Sequence, residues 1–429
     1  MRAAHRPAAL ATLALGLVVL VALAAVTVPW DPVPGATPPA AAPDSVFDAE
    51  QLARSEAYAS VARVVSRASL GVSLLVALLL GLTRAGRALV GRLRGPWWVQ
   101  VPVATLLVLV VGRLATLPFS VVSRVRALDY GLTEQGWGAW GVDVLVSLGV
   151  QTVGTALGLL VLLGVRRRLP RSWPAVAGGL VAALVMAGSW AYPVLVEPLR
   201  NTFVSLPAGE LRTEILAVAA AEGIDVDDVL VSDASRRTTT LNAYVSGLGG
   251  TRRVVVYDTL VEGVPPDQVV SVVAHELAHA RHDDVLVGSS LGAAGAVAGV
   301  GLLGLLLPGR RRRAPGPVRA DEGRDLDGHP GPTATDEAVL VPRVLALLAV
   351  GMLLATPVTS TLSRQIETRA DVDALCVTRD PDAFVALQRS LAVRSLADPE
   401  PAAWSQAVFG THPTSLQRIG LARGLDCGE

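Results

Sequence analysis

Long apolar runs, separated by short arginine-rich loops, dominate this chain of 429 residues. A helix that crosses a membrane needs about 20 mostly apolar residues. Five runs clearly meet that requirement, and two weaker ones bring the predicted total to seven; one of these is short and the other carries Arg343 near an end. The predicted spans lie near residues 8–28, 69–82, 101–121, 144–165, 173–196, 285–307 and 338–361. The pattern therefore predicts a multi-span α-helical membrane protein.

The run at 8–28 has an alternative interpretation as a secretory signal peptide, with Arg2 and Arg6 before it. A small-x-small triplet at 22–24 lies inside the apolar run, whereas a cleavage site follows such a run. The run is also long for a signal peptide. We therefore interpret it as a retained span.

The composition excludes several classes of protein. Hydrophobic residues make up 51% of the chain and charged residues only 17%, against about 25% charged residues in a typical soluble protein. The net charge is zero, so no global field attracts nucleic acid. We expect a lipid membrane and no nucleic acid as a partner. The two cysteines, Cys376 and Cys427, can form one disulfide bridge or none.

Arginines in the loops predict the orientation of the chain. Clusters of them follow the predicted second, fourth and sixth spans, on the same side as the amino terminus, at 84–94, 166–171 and 310–313. Positive charge marks the cytoplasmic side, so the amino terminus is expected in the cytoplasm of a multi-pass cell-membrane protein. Two long polar regions, 201–284 and 362–429, then lie together on the outer side. The segment 308–337, rich in Gly, Pro, Asp and Arg, is predicted to be a flexible cytoplasmic linker.

The first polar region has the pattern of a small α+β domain. Apolar spacing predicts a helix and then three short β-strands, two of them joined by Gly-Leu-Gly-Gly in the manner of a hairpin. A second helix opens at Pro265-Pro266, where proline suits the first turn. The predicted elements are Leu211–Ala221, Asp228–Ser232, Asn242–Ser246, Arg252–Tyr257 and a helix from Pro265 to about Asp283.

The second helix carries an H-E-x-x-H motif. Its two histidines, His275 and His279, are four residues apart, so both imidazoles lie on one helix face and can reach one Zn²⁺. Glu276 lies beside them, where it can take a proton from a zinc-activated water. The competing interpretation is a helix with two solvated histidines. The apolar residues before the motif and the predicted hairpin favour the metal site.

A catalytic zinc needs a third protein ligand and an open position. His282 follows His279 by three residues on the same helix and is better interpreted as a solvated histidine at the helix end. Glu367 is a stronger candidate, with Asp371 four residues later on the same face, where it can accept a hydrogen bond from a ligand histidine. From spacing alone, a surface helix with Glu/Arg pairs fits Glu367 and Asp371 equally well.

Five ordered blocks together resemble a known family. They are Asn242-Ala243-Tyr244, the run 254–260, the H-E-x-x-H helix, Ser363-Arg364-x-x-Glu367-x-x-Ala370-Asp371, and His412-Pro413 followed by Arg418-Ile419. This arrangement resembles the type I CAAX prenyl proteases, which are seven-span gluzincin metalloendopeptidases. It is more distantly similar to the bacterial heat-shock membrane metalloproteases. The resemblance implies a small zincin domain of the gluzincin type, built from 201–284 and 362–429.

The resemblance also implies roles for individual residues. It implies one zinc ion per chain, with Glu276 as the general base and Asp371 behind the metal ligands. The implied ligands are His275, His279 and Glu367. His412, which alone would be interpreted as a loop histidine, is implied to stabilise the oxyanion, because a positioned donor can contribute several kcal/mol there.

Two further residues complete the implied site. Arg418 is expected to hold His412 or a carboxylate in place. Asn242 is expected on the strand that borders the cleft, where an extended peptide can add to the sheet.

We therefore hypothesise a zinc-dependent metalloendopeptidase that cleaves peptides or membrane-associated proteins. The sequence has a bacterial style, so a prenylated substrate is not carried over from the family. A broad-specificity protease for membrane-protein quality control is one alternative. A catalytically silent zinc-binding scaffold or transporter is another, although a transporter should place more ionisable residues within its spans.

Overall fold

The computed structural model describes residues 4–224, 226, 228–247, 251–308 and 334–427. Within these residues, seven helices are long and apolar enough to cross a membrane, which confirms the predicted multi-span fold. They are α1 (Arg6–Thr27), α2 (Ala49–Leu82), α4 (Trp97–Asp129), α5 (Trp137–Arg168), α6 (Trp173–Leu195), α10 (Asp284–Leu306) and α11 (Asp336–Thr378). A short helix, α3 (Arg84–Val90), follows α2. Most of the predicted linker 308–337 lies outside the described residues.

Two of the spanning helices are much longer than their apolar runs. Helix α2 begins at Ala49, well before the predicted span 69–82, and α11 continues past the predicted boundary at 361. The polar half of α2 contacts the second polar region, where Arg63 pairs with Asp398 and Arg67 donates to Ser405 Oγ at 3.0 Å. Hydropathy detects only the lipid-facing half of such a helix, so it cannot show where the helix begins.

Helix α1 packs closely against α10 through small residues. A Cβ added at Gly16 would lie 2.4 Å from the backbone nitrogen of Ala298, and one at Gly301 would lie 2.4 Å from that of Leu13. Small residues allow such close backbone contact between membrane helices. This packing supports the interpretation of the first run as a retained span.

The two polar regions form one small domain around a four-stranded sheet. Its strands are β1 (Phe203–Ser205), β2 (Val229–Ser232), β3 (Ala243–Ser246) and β4 (Arg253–Tyr257), in the order β1-β2-β4-β3. The predicted pairing of β3 with β4 is present and antiparallel; residues 248–250 of its connection lie outside the described part. Strand β3 therefore lies at an edge of the sheet.

Helices cover this sheet and join the two polar regions. Helices α7 (Glu210–Ala221), α8 (Asp258–Gly263) and α9 (Pro266–Arg281) come from the first region; α12 (Pro381–Ser395), α13 (Ala403–Phe409) and α14 (Ser415–Gly424) come from the second. Val256, Val273 and Leu277 are fully buried in a shared core with Leu387 of α12. Burying a side chain of this size contributes about 1.5–3 kcal/mol. The core therefore fixes α9 against both the sheet and the second polar region.

The two cysteines form a disulfide bridge. Cys376, near the end of α11, is bonded to Cys427, which follows α14. The bridge closes a loop with a sequence separation of 51 residues. It fastens the end of the chain to the helix that carries Glu367.

Candidate metal centre

Helix α9 presents its motif histidines at the junction with the membrane. Pro266 occupies its first turn, and Val269, Val273 and Leu277 bury its apolar face. The helix ends at Arg281, and Asp283 takes a left-handed conformation with φ of 53° before α10 begins. This turn separates the metal-site helix from the sixth span.

His275, His279 and Glu367 bring their donor atoms together. His275 Nε2 lies 3.2 Å from His279 Nε2 and 3.2 Å from Glu367 Oε2, and His279 Nε2 lies 3.8 Å from Glu367 Oε1. Ligands in a tetrahedral zinc site, each about 2.0–2.2 Å from the ion, are about 3.4 Å apart. Within the described residues, these three form the one group of histidine, cysteine and acidic side chains placed closely enough to share a metal ion.

Glu367 has a buried oxygen that a cation would satisfy. Its Oε2 makes no hydrogen bond within the described part of the chain, although two imidazole nitrogens, His275 Nε2 and His412 Nε2, lie 3.2 Å away. A buried carboxylate oxygen without a hydrogen bond is costly. The donor set of two imidazoles and one carboxylate suits Zn²⁺.

A buried carboxylate holds His275 from behind. Asp371 is completely buried, and its Oδ1 lies 3.0 Å from His275 Nδ1. Arg418 donates from Nε to Asp371 Oδ2 at 2.8 Å, and its guanidinium lies over the ring of Phe384 at 5.8 Å. Asp371 thereby leaves Nε2 of His275 facing the metal position. Arg418 holds Asp371, which is one of the two roles that the resemblance implies for it.

A similar carboxylate lies behind His279, and the sequence reasoning missed it. Asp284 Oδ2 lies 3.0 Å from His279 Nδ1, while Arg369 donates to Asp284 Oδ1 at 2.5 Å. Asp284 is the first residue of α10 and lies directly after the turn at Asp283. The signal in the sequence was an acidic residue five positions after His279. The direction in which the Asp284 side chain points, however, depends on the turn at Asp283.

Glu276 lies between the three candidate metal ligands and the edge of the sheet. The backbone N–H of Val245 in β3 donates to Glu276 Oε2 at 3.2 Å. Burial raises the pKa of Glu276, partly offset by the neighbouring His275 and His279. A raised pKa improves a carboxylate as a proton acceptor, as general-base catalysis requires.

His412 reaches the site from a loop that Arg364 holds. Nε2 of His412 lies 3.2 Å from Glu367 Oε2, and its side chain is half exposed. Arg364 donates to the carbonyl oxygens of Gln406 and Gly410 at 3.0 and 2.6 Å, while Gln406 Nε2 donates to the His412 carbonyl at 2.7 Å. The motif around residue 364 was visible in the sequence, but its contact with this loop was not.

Of the remaining predicted residues, Asn242 lies beside the metal position and His282 lies apart from it. A cavity of about 80 Å³ adjoins the metal position. His282 lies apart from it, at the end of α9, and its Nε2 is 2.7 Å from Asp373 Oδ2 rather than fully solvated. The cavity is lined by Asn242, His275, Glu276, His412 and Arg418, among other residues.

Zinc binding should become tighter as the pH rises from about 7 to 9. Burial lowers the pKa of His275, but the hydrogen bond to Asp371 and the proximity of Glu367 outweigh it and raise the pKa to about 10. Below that pH the imidazole carries a proton that a metal must displace. We expect the dissociation constant to fall about tenfold per pH unit, measured by calorimetric zinc titration of chelated protein. An ordinary histidine, with a pKa near 6.5, would give a constant value over this range.

Comparison with known proteins gives matches over nearly the whole chain. Residues 205–425 match the model of peptidase family M48. Residues 35–202 match the model described as the CAAX prenyl protease amino-terminal region with five membrane helices. The "Uncharacterized metalloprotease YhfN" of Bacillus subtilis is 26% identical over 71% of this chain and 69% of its own length.

Two further similarities concern yeast proteins. "CAAX prenyl protease 1" of Saccharomyces cerevisiae is 29% identical over 40% of this chain and 39% of its own length. The crystal structure of S. mikatae Ste24p superposes with a TM-score of 0.71, covering 98% of this chain and 99% of that one at 20% identity. The structural similarity establishes the shared fold.

Proposed function

Since the chain belongs to peptidase family M48 and is a membrane metalloprotease, we propose that it is a zinc-dependent endopeptidase. The observation that carries the proposal is the convergence of three donor groups on one point, with Glu276 beside them. One zinc ion per chain would be held by His275, His279 and Glu367. When bound, zinc would polarise the scissile carbonyl and lower the pKa of a water molecule.

Proton transfer in this proposal belongs to Glu276. Its carboxylate accepts a proton from the attacking water and later delivers it to the leaving amine. The Val245 N–H fixes one of its oxygens at 3.2 Å, so the other oxygen remains available. This hydrogen bond also attaches Glu276 to β3. The general base therefore keeps a fixed position relative to the edge where the substrate would bind.

The substrate would lie along the edge of β3. The Asn242 carbonyl accepts from Tyr257 in β4, whereas the Val245 N–H points the other way, towards Glu276. That outward edge is where an extended peptide can add by backbone hydrogen bonds. Asn242 lines the cavity beside this edge and would contact the peptide near the cleaved bond.

His412 would stabilise the oxyanion. Its Nε2 is close to Glu367, and its loop is fixed by Arg364 and Gln406, so it can approach the carbonyl oxygen with little loss of entropy. A positioned donor of this kind is worth about 10²–10³ in rate. The substrate is a peptide or protein at the membrane. The complete set of base, ligands and oxyanion donor does not favour a silent scaffold or a transporter.

The proposal predicts that activity and metal are lost together when a ligand is removed. The detergent-purified protein should cleave quenched fluorescent peptides, and a zinc chelator should stop it. The His279→Gln variant should hold no stoichiometric zinc and show no cleavage. His282→Gln, changed on the same helix but outside the site, is the matched control and should keep both. Full activity in His279→Gln would refute the ligand assignment.

We also propose that the amino terminus is cytoplasmic and the metal-binding domain lies on the outer side of the cell membrane. The arginine-rich loops support this orientation. The Cys376–Cys427 bridge supports it independently, since disulfides persist in oxidising compartments outside the cytoplasm.

A labelling experiment tests the orientation. Single cysteines are introduced as Glu210→Cys in the domain and Ser172→Cys between α5 and α6, both at exposed positions. In intact cells, a membrane-impermeant maleimide should label the first and not the second, because the second faces the cytoplasm. Labelling of Ser172→Cys alone would reverse the orientation.

A further inference from the structure

A second, larger cavity contains arginines that the proposed mechanism does not use. It has a volume of about 780 Å³ and lies between α2, α4, α5 and the segment before β3. Asp143 is the acidic residue in its lining, and Asp143 accepts a hydrogen bond from Gln135 at 2.7 Å. The arginines of its lining are Arg113, Arg124, Arg200 and Arg237, and we call this cavity the basic pocket.

Arg113 and Arg124 have polar atoms that no other described residue satisfies. Arg124 is 6% exposed, and its Nη1 donates to Thr133 Oγ1 at 3.0 Å. Its Nε and Nη2, like the Nε of Arg113, are buried without a hydrogen bond within the described residues. A buried guanidinium with unsatisfied donors is destabilising unless an acceptor completes it. These donors point to an acceptor other than the described residues of the chain.

The position of Arg113 indicates where this acceptor would lie. Arg113 is 16 residues from each end of α4, or about 24 Å along the helix axis, so it lies deep within the membrane region. An ionisable residue at such a depth generally faces a water-filled cavity and marks a functional path. The lining around it is rich in hydroxyl groups, from Ser66, Ser69, Ser120, Ser123 and Ser147.

The basic pocket lies next to the metal centre. Thr240 lines the pocket, and Asn242 lines the cavity at the metal position. These two residues are about 7 Å apart along an extended chain. Thr133 of the pocket donates to the Arg237 carbonyl at 2.7 Å, which fixes the segment that leads into β3. A peptide bound along β3 that continued past Asn242 would therefore reach the basic pocket within a few residues.

We propose that Arg113 and Arg124 bind an anionic group of the substrate, a carboxylate or a phosphate monoester, a few residues from the cleaved bond. This inference rests on the proposed function, because it assigns the second contact of the same substrate. Arginine suits this task, because its planar donors bind carboxylate and phosphate in a bidentate manner. The protein is then selective for peptides that are anionic on one side of the cleaved bond.

The test compares matched peptides that differ in one charge. Peptides of one sequence carry Gln, Glu or phosphoserine at each successive position, with a free or an amidated carboxyl terminus, so that side-chain carboxylate, phosphate and terminal carboxylate are distinguished. At one position the wild type should prefer the anionic peptide by about 10-fold or more in kcat/KM, mainly through KM. Arg113→Gln and Arg124→Gln should lose that preference, so that the anionic and neutral peptides give similar kcat/KM.

Controls separate binding from folding and from turnover. Arg124→Lys keeps the charge and should retain part of the preference, while Arg171→Gln, at an exposed loop, should leave it unchanged. The same peptides are bound to the inactive Glu276→Gln protein and followed by fluorescence anisotropy. This measurement detects a preference for binding the anionic peptides even if no peptide is cleaved. Failure of the proposed peptidase function can therefore be distinguished from failure of the anion-binding proposal.

Two results would overturn the proposal. One is an equal kcat/KM and an equal affinity for anionic and neutral peptides at every position in the wild type. The other is a preference that persists in both Gln variants. Tighter binding of phosphatidylglycerol in mixed micelles by the wild type than by the Gln variants, with no peptide preference, would assign the pocket to a lipid instead.

Discussion

Replacing Glu276 by glutamine should lower kcat by about 10³-fold or more while leaving the bound zinc in place. The amide has nearly the shape of the carboxylate, and its oxygen can still accept the hydrogen bond from the Val245 N–H. It cannot accept a proton from water. Glu276 is also outside the group of side chains that could hold the metal. Turnover is therefore lost without loss of the metal or of the local structure.

The measurement is kcat on one peptide, together with zinc content, for the wild type and the variant. Glu262→Gln is the matched control, because Glu262 is an exposed glutamate of the same domain, in α8. It should leave both quantities unchanged. A Glu276→Gln protein that turns over within tenfold of the wild type would exclude Glu276 as the general base.

Replacing Asp371 by asparagine should weaken both the metal site and the fold. The change replaces the carboxylate behind His275 with a neutral amide, whose oxygen is a weaker acceptor for the Nδ1–H, and impairing such a partner typically costs about 10–100-fold in metal affinity. It also leaves the Arg418 guanidinium, with a side chain 12% exposed, without its ion-pair partner. Breaking a buried pair on one side destabilises a protein by about 3–5 kcal/mol.

The same helix offers a matched control for this variant. Asp373 lies two residues further along α11 and pairs with His282, where both side chains are partly exposed. Exposed pairs contribute only about 0–1 kcal/mol, so Asp373→Asn should shift neither zinc affinity nor thermal stability appreciably. Equal effects of the two substitutions, by zinc competition and thermal unfolding, would mean that Asp371 has no special role behind the metal.

Much of the architecture could be predicted because its signals are local. Apolar runs identify membrane helices, as at 173–196, where α6 spans Trp173–Leu195. The i, i+4 spacing of His275 and His279 places both on one face whatever surrounds the helix. Strands β2, β3 and β4 were predicted from their short β-type runs and from the Gly-Leu-Gly-Gly connection between the last two, whereas β1 (Phe203–Ser205) was not predicted. None of these inferences needs a contact between distant parts of the chain.

What the sequence did not reveal depends on long-range contacts. Asp284 reaches His279 only because Asp283 adopts a left-handed turn. Arg364 fixes the loop of His412 through carbonyl groups 42 and 46 residues away, and backbone acceptors carry no sequence signature. The polar half of α2 contacts the second polar region through Arg63 and Arg67. Tertiary contacts of this kind override hydropathy, which reports only on contact with lipid.

The spacing of Glu367 and Asp371 illustrates the same limit. Spacing alone left a surface Glu/Arg helix as an equal alternative, because i, i+4 acids are common on solvated helices. Burial separates the two interpretations, since Asp371 is completely buried and Glu367 is 9% exposed. Acidic groups at that depth need a cation or a buried partner.

The most direct test is a zinc titration of the chelated wild-type protein, with bound zinc and peptidase activity measured on the same samples. We predict that activity rises in proportion to bound zinc and reaches its maximum at about one ion per chain. Peptide cleavage that persists in protein without metal, or full zinc occupancy that restores no cleavage of any peptide, would contradict a zinc-dependent endopeptidase.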